Sequence, residues 1–240
     1  MRRFTLLIIL FSVFLSTSFA QPQKVEELED GIKLIEDFEG ETAGTLPQRW
    51  FNQKATVAVP DLPNRDTYAY KIMEEDGNTF LRFEGINGKH LNFPTKDVEN
   101  IDIYDTPILS WRWRIHDIPT GADDEDNDVA ASIYVVMDVG SVLFKEVPKS
   151  IRYTWSSNLE KGEEFSKFFG NQKTVVMGTG SGSGSWQTFE RNIVQDYIRL
   201  YGDEPPKTPI AILILSDGDD TGENVKADYD DIMLKSYLGQ

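Results

Sequence analysis

Short segments of alternating apolar and polar residues run along most of the chain, and they constrain the fold more than any other feature. The clearest is 108–115, I-L-S-W-R-W-R-I, in which Leu109, Trp111, Trp113 and Ile115 occupy every second position. Such alternation is typical of a β-strand with one buried face. Clusters of Gly, Pro, Asn and Asp separate nine such segments. They are 32–38, 79–84, 108–115, 130–137, 151–155, 174–177, 186–193, 209–215 and 229–237.

One short helix is predicted over 194–201, because Gly202 and the Pro205-Pro206 pair end its pattern. Helices do not alternate with strands, so the sequence does not predict a doubly wound parallel sheet. It predicts an all-β chain folded as a single-domain antiparallel β-sandwich or jelly roll. Residues 34–240 would form that domain, with 21–33 as an N-terminal lead-in.

The first twenty residues have the pattern of a secretory signal peptide. Arg2 and Arg3 precede a nearly unbroken apolar run, and Ser18-Phe19-Ala20 supplies a small-x-small cleavage site. The sequence therefore predicts export to the periplasm or the external medium, with a mature chain that begins at Gln21. An uncleaved membrane anchor is the alternative, but the run is short for a span. No later segment is apolar and long enough to cross a membrane.

The overall charge excludes several classes of function. The 240 residues include 40 acidic and 24 basic side chains, which gives a net charge of −16. Such a chain is a poor ligand for nucleic acid phosphates. It contains no cysteine, which excludes thiol catalysis and cysteine metal sites, and its two histidines leave almost no room for a histidine-built metal centre.

The acidic residues are concentrated in two segments, 121–128 and 217–231. In the second, Asp217, Asp219, Thr221 and Asp228 fall at positions 1, 3, 5 and 12 of a loop with Gly222 at position 6. This is the spacing of an EF-hand calcium loop, and Ca²⁺ prefers many oxygen ligands. The flanking segments are strands, so the alternative is a polar hairpin loop. For 121–128, we expect a solvated acidic loop.

Two resemblances extend these predictions. Asp37-Phe38-Glu39-Gly40 near the start and 229–234, Y-D-D-I-M-L, near the end resemble the first and last strands of galactose-binding-like jelly rolls. Many carbohydrate-binding modules have this fold. The resemblance implies that Glu39 and Asp231 lie together and share a structural calcium ion.

The middle of the chain resembles a bacterial exported family, domain of unknown function 3047. The resemblance covers about 34–237 and implies a β-sandwich without an assigned activity. It rests on an ordered set of short motifs, each read directly from the sequence: W-R-W-R at 111–114, G-A-D at 121–123, D-V-A-A-S-I-Y-V-V at 128–136, Y-T-W at 153–155, E-R-N at 190–192, D-Y at 196–197 and D-x-D-D-T-G at 217–222.

Strand alternation also predicts a ligand-binding face. Arg112 and Arg114 lie opposite the tryptophans, which we expect in the core, and Arg152 alternates with Tyr153 in the same way. If these strands are neighbours, the three arginines form a patch for an anionic sugar or another carboxylate, with Tyr134 and Trp155 as stacking surfaces. The alternative is that the arginines form salt bridges with nearby acids.

Motifs for catalysis are missing from the sequence. It has no G-x-S-x-G and no H-E-x-x-H. The Gly-Ser run at 178–185 precedes a predicted strand and not a helix, so it predicts a mobile loop and not a phosphate site. We therefore expect an exported, non-catalytic protein that binds a polysaccharide or another anionic small ligand, with Ca²⁺ in a structural role. A glycosidase or uronate lyase on the same fold, and a structural envelope protein, remain the alternatives.

Overall fold

The computed structural model describes residues 25–28, 31–96, 98–121, 128–142 and 145–237. The predicted signal peptide and most of the acidic segment 121–128 lie outside these residues. Among the described helices, none is long and apolar enough to cross a membrane.

Thirteen strands and one α-helix are found in the described part of the chain. In chain order they are β1 (Glu26–Leu28), β2 (Ile32–Glu36), β3 (Tyr70–Glu75), β4 (Asn78–Gly85), β5 (Leu91–Pro94), β6 (Ile108–Asp117), β7 (Val129–Val142), β8 (Lys145–Ser156), β9 (Glu164–Lys167), β10 (Gln172–Thr179), β11 (Trp186–Asn192), α1 (Ile193–Tyr201), β12 (Ala211–Asp217) and β13 (Val225–Lys235). Three short 3₁₀ turns lie at Val59–Asp61, Arg65–Thr67 and Phe168–Gly170.

The strands form two sheets. In the first, of seven strands, the long β13 is central: β6 pairs with one side of it, and β4 and β2 pair with the other. Strands β11, β3 and β1 then pair with β6, β4 and β2. The second sheet has six strands in the order β5-β12-β7-β8-β10-β9. All pairs are antiparallel except β8–β10, which is parallel.

The core lies between the two sheets and is rich in aromatic side chains. Trp111 and Trp113 on β6 are buried, which confirms the predicted orientation of that strand. Trp111 stacks on Tyr153 of β8, at 5.3 Å between ring centroids, and so joins the two sheets. Phe189 packs against both tryptophans. The burial of these rings is a main source of stability, because large aromatic side chains remove the most apolar area from water.

The predicted two-sheet β-sandwich with one short helix is confirmed. Helix α1 begins where the Asn192 side chain accepts a hydrogen bond from the Gln195 amide, and it ends at Gly202 with a φ of 71°. The sequence pattern did not predict β1, β3, β5 and β9, of which β1 lies within the stretch 21–33. It also did not predict the parallel pair, because strands that are not consecutive in the chain leave no local signal of their direction.

Glu36 is a buried carboxylate at the end of β2. Its Oε1 accepts a hydrogen bond from the Phe38 amide at 3.1 Å, while Oε2 has no hydrogen-bond partner among the described residues. Burial raises the pKa of Glu36 from 4.5 to about 7, although Arg49 opposes this shift. Between pH 4.5 and about 7, the native state therefore holds a proton on Glu36 that the unfolded chain releases.

This proton makes stability depend on pH. Because the folded pKa lies above the unfolded one, the contribution of Glu36 is complete below pH 4.5 and is lost as the pH rises towards 7, by about 2 to 3 kcal/mol. We expect Glu36→Gln to remove that part of the slope in urea unfolding measured from pH 4 to pH 8. The exposed Glu74→Gln is the matched control and should keep the slope. Parallel pH profiles for both variants would contradict the assignment.

Candidate functional site

The outer face of the first sheet carries a buried ion-pair network centred on Asp228. The Asp228 carboxylate is fully buried and contacts two arginines and a histidine: Arg82 Nε on Oδ1 at 2.7 Å, and Arg114 Nε and His116 Nε2 on Oδ2 at 2.7 and 2.8 Å. Burial alone would raise the pKa of Asp228, but the hydrogen bonds from Arg82, His116 and Arg114 outweigh it and lower that pKa. Asp228 is therefore a structural carboxylate that binds strands β4, β6 and β13 together.

A second cluster on the same face holds Arg112. Its Nη2 lies 2.6 Å from Asp230 Oδ2, and its Nε lies 2.8 Å from Asp231 Oδ2. Asn78 donates to the same Asp230 oxygen at 2.9 Å. Burial raises the pKa of Asp230 to about 6, and the neighbouring Asp231 adds to the shift. The guanidinium carbons of Arg112 and Arg114 lie 4.7 and 4.8 Å from the centre of the Trp186 ring.

The prediction that three arginines form one patch is wrong. Arg112 and Arg114 lie on β6 of the first sheet, whereas Arg152 lies on β8 of the second. Arg112 and Arg114 form salt bridges with the carboxylates of Asp228, Asp230 and Asp231. For these two arginines, the alternative of salt bridges with nearby acids is therefore the one that the structure shows. The prediction for Trp155 is also wrong: its ring is buried in the core, where its Nε1 donates to the Gly180 carbonyl at 2.8 Å.

Arg152 and Tyr134 do lie together, on the outer face of the second sheet. They are directly opposite each other on β8 and β7, and the Arg152 guanidinium carbon is 5.4 Å from the centre of the Tyr134 ring. The pairing register extends this row across five strands. We call the row of Asn92, Leu213, Tyr134, Arg152 and Thr174 the second-sheet row.

Three buried polar atoms in the second-sheet row have no hydrogen-bond partner among the described residues. They are Asn92 Oδ1, Arg152 Nε and Thr174 Oγ1. Arg152 is only 6% exposed, and in the described chain no carboxylate forms an ion pair with it. The His90 ring packs against the Tyr134 ring, with 5.4 Å between their centroids. Burial, and next the charge of Arg152, lower the pKa of His90 to about 4, so His90 is neutral near pH 7.

A candidate metal centre lies at the end of the sandwich, where β12 ends and β7 begins. Carboxylate oxygens of Asp128, Asp217 and Asp219 lie within 4.8 Å of one another, and no other group of three metal-ligating side chains in the described residues does so. Asp128 is buried and accepts hydrogen bonds from the Asp220 and Thr221 amides at 2.9 and 2.8 Å. Burial raises the pKa of Asp217, and Asp219 and Asp128 add to this rise. This buried acidic triad could hold a metal ion.

The triad differs in part from the predicted calcium loop. Asp217 and Asp219 lie together as predicted, and the Thr221 hydroxyl hydrogen-bonds to Asp128. Asp228 is held by Arg82, Arg114 and His116 instead, because it is on β13 and faces the first sheet's outer surface. Asp128, from the other acidic segment, completes the group. Only a contact between distant loops brings it there, so the spacing within one loop could not indicate it.

The predicted pair of Glu39 and Asp231 has other partners. Glu39 Oε1 accepts a hydrogen bond from the Thr79 amide at 3.0 Å, and Asp231 pairs with Arg112. Burial raises the pKa of Asp231, and the charges of Asp37 and Glu39 add to it, so these carboxylates are near one another. The carboxylate oxygens of Asp37, Glu39 and Asp231 do not all lie within 4.8 Å of one another, so these three residues are not a metal-ligating group of the kind formed by Asp128, Asp217 and Asp219.

The fold and these sites define a two-sheet β-sandwich with a network of balanced charges on one outer face and an unbalanced buried arginine on the other. The chain belongs to the DUF3047 family, a family of proteins of unknown function, whose model matches residues 50–233. No curated protein matches the sequence.

Several solved structures with a similar arrangement are carbohydrate-binding modules. A family 11 module from a cellulosomal cellulase of Clostridium thermocellum shares 12% identity with a TM-score of 0.41, and the match covers 88% of this chain and 97% of that one. A family 28 module described as specific for non-crystalline cellulose shares 14% identity with a TM-score of 0.40, over 89% and 99% of the two chains. An exo-β-agarase shares 10% identity with a TM-score of 0.42, over 86% of this chain and 25% of the enzyme. Likenesses this distant support no statement about the ligand of this chain.

The Asp228 network gives a prediction about stability. Asp228→Asn removes the charge that balances Arg82 and Arg114, whose side chains are only 11% and 14% exposed. Loss of one partner from such a buried cluster costs about 3 to 5 kcal/mol. We expect this loss in urea unfolding at pH 7, against a change below about 0.5 kcal/mol for the exposed control Asp61→Asn. Equal stabilities of the two variants would contradict the role of Asp228.

Proposed function

We propose that the chain is a non-catalytic binding protein for an acidic polysaccharide, which it binds on the second-sheet row. The observation that carries the proposal is Arg152, a buried guanidinium without an anionic partner among the described residues. An unbalanced buried charge is costly, and a guanidinium binds a carboxylate through two parallel hydrogen bonds. A ligand carboxylate would therefore supply the partner that the chain does not.

The neighbours of Arg152 suit a sugar ring that carries such a carboxylate. The Tyr134 ring, which is 6% exposed, lies beside the Arg152 guanidinium and gives the row an apolar aromatic member. Thr174 Oγ1, directly opposite Arg152 on β10, has no partner among the described residues and can form a hydrogen bond with a ligand hydroxyl. Asn92 Oδ1, three strands from Arg152 in the same row, could bond a hydroxyl of a further sugar residue. The row thus combines one charged, two polar and two apolar side chains, all of them buried.

An enzymatic function is the second candidate, and one observation favours it. A uronate lyase needs a base beside a cation that neutralises the substrate carboxylate, and Tyr134 lies opposite Arg152. The described row contains no pair of carboxylates, so a two-carboxylate glycosidase is not favoured on this face. A lyase would release products with a new carbon–carbon double bond, detected by their ultraviolet absorbance. The proposed binding protein releases none.

Binding can be tested with a matched pair of polymers. We expect oligogalacturonate to bind and its fully methyl-esterified form to bind at least tenfold more weakly, because esterification removes the charge that Arg152 pairs with. Arg152→Gln should lose about 10- to 100-fold in affinity for the acid, as expected for a charged hydrogen bond. Lys71→Gln removes the same charge from an exposed site on the first sheet and should bind as the native chain does.

The two histidines report the location of binding. His90 contacts the second-sheet row and His116 lies on the first sheet. In NMR titrations of the untagged protein, oligogalacturonate should shift the His90 ring signals and leave those of His116 unchanged. Absence of binding to a panel of acidic and neutral glycans would overturn the proposal and favour the structural envelope protein.

We also infer that Ca²⁺ binds the triad of Asp128, Asp217 and Asp219 and stabilises the fold. Three clustered carboxylates are the hard oxygen donors that Ca²⁺ prefers, and a cation removes their mutual repulsion. The proposal includes export through residues 1–20, which N-terminal sequencing of the mature protein at Gln21 would test.

Calcium removal should lower the melting temperature. At 100 times its Kd a ligand stabilises the native state by about 2.7 kcal/mol, so we expect a rise of several degrees in millimolar Ca²⁺ over chelator. Asp219→Asn should reduce this rise, and Asp61→Asn, at an exposed position of a 3₁₀ turn, should keep it. A melting temperature that is the same with Ca²⁺ and with chelator would contradict the metal assignment.

A further inference from the structure

A basic cavity adjoins the second-sheet row. It has a volume of about 320 Å³ and is lined by Asn52, Gln53, Lys54, Tyr68, Gly88, Lys89 and His90. None of its lining residues is acidic, although the chain has 40 acidic and 24 basic residues. A concave surface lined by one sign of charge attracts ligands of the opposite sign. The cavity is therefore suited to an anion.

Backbone pairing fixes the cavity beside the row. The Phe51 amide donates to the Asn92 carbonyl at 2.8 Å, and the Asn92 amide donates to the Phe51 carbonyl at 2.9 Å. The Asn92 side chain also donates to the Gln53 carbonyl at 2.9 Å. The segment that carries Lys54 is thus held against β5, whose Asn92 is the end of the second-sheet row.

Lys89 is held in place at the cavity wall. Its Nζ lies 5.1 Å from the centre of the Tyr68 ring and hydrogen-bonds to the Thr67 hydroxyl. It forms no ion pair with a carboxylate of the described chain. Both of its contacts are with neutral groups, so its positive charge stays available to a ligand.

His90 connects the cavity to Arg152. It lines the cavity, and its ring contacts Tyr134, whose ring centre is also 5.4 Å from the Arg152 guanidinium carbon. The two cationic regions, Arg152 on one side and Lys54 with Lys89 on the other, are therefore separated by the uncharged His90 and Tyr134. A ligand that contacts both regions must span His90 and Tyr134.

We propose that the cavity is a second anionic subsite, and that the ligand is an oligomer with carboxylates on more than one of its residues. One carboxylate pairs with Arg152 and another lies between Lys54 and Lys89. The inference rests on the proposed function and deepens it, since it assigns the ligand a minimum length and repeated charge.

The test compares ligand length with lysine substitution. Galacturonic acid and its di-, tri- and tetramer are titrated calorimetrically into the native chain, Lys54→Gln/Lys89→Gln and Lys71→Gln. For the native chain and Lys71→Gln, we expect affinity to rise at least tenfold from the monomer to the tetramer. The double variant should bind the monomer as the native chain does and show less than a threefold rise. The exposed Lys54→Gln alone, which leaves the Lys89 contacts intact, should show an intermediate rise.

The outcomes separate this inference from the proposed function. A full rise with length in the double variant, or no rise in the native chain, overturns the second subsite while monomer binding at Arg152 stands. No binding of any oligomer overturns both. High salt should reduce the rise with length, because Lys54 is exposed and its interactions are screened.

Discussion

The Asp228 carboxylate is the interaction on which the first sheet depends. It is fully buried and accepts hydrogen bonds from Arg82 on β4 and Arg114 on β6, and it contacts His116. Strand β13 carries Asp228 and lies between β4 and β6, so this one carboxylate holds three neighbouring strands together. The cations keep it ionised in spite of its burial, and it in turn allows two arginines to lie largely out of water.

The arginines on the outer face of the first sheet are paired with carboxylates, and this makes the lack of such a pair at Arg152 on the second sheet significant. On the first sheet, Arg82, Arg112 and Arg114 each contact at least one carboxylate at 3.0 Å or less. On the second, Arg152 is as deeply buried and lies over the Tyr134 ring, with no carboxylate partner among the described residues. A fold that balances its buried arginines in one sheet could have balanced this one too, since acidic residues are abundant. The unpaired guanidinium is therefore the feature of the second sheet on which the proposed ligand rests.

Sequence reasoning predicted what local alternation determines and missed what pairing determines. The opposite faces of β6, with Trp111 inside and Arg112 outside, follow from a period of two and were predicted correctly. Which sheet contains β8 depends on contacts between distant segments, which is why the neighbours that the sequence predicts for Arg152 are wrong. The same limit applies to Asp128 and His90. Each comes to its site by pairing across the sheet or contact between loops, and neither has a diagnostic spacing in the sequence.

Gly88 connects the acidic triad to the proposed binding face. Its amide donates to Asp217 Oδ1 at 2.7 Å, and a Cβ at this position would lie 2.0 Å from the Ser216 carbonyl oxygen, so only glycine allows the approach. Lys89 and His90 follow directly and form part of the cavity wall. The charge of Asp217 strengthens this hydrogen bond, while its neighbours Asp219 and Asp128 disfavour that charge. A cation at the triad would favour the ionised form, and the segment that carries Lys89 and His90 would be held more firmly against β12.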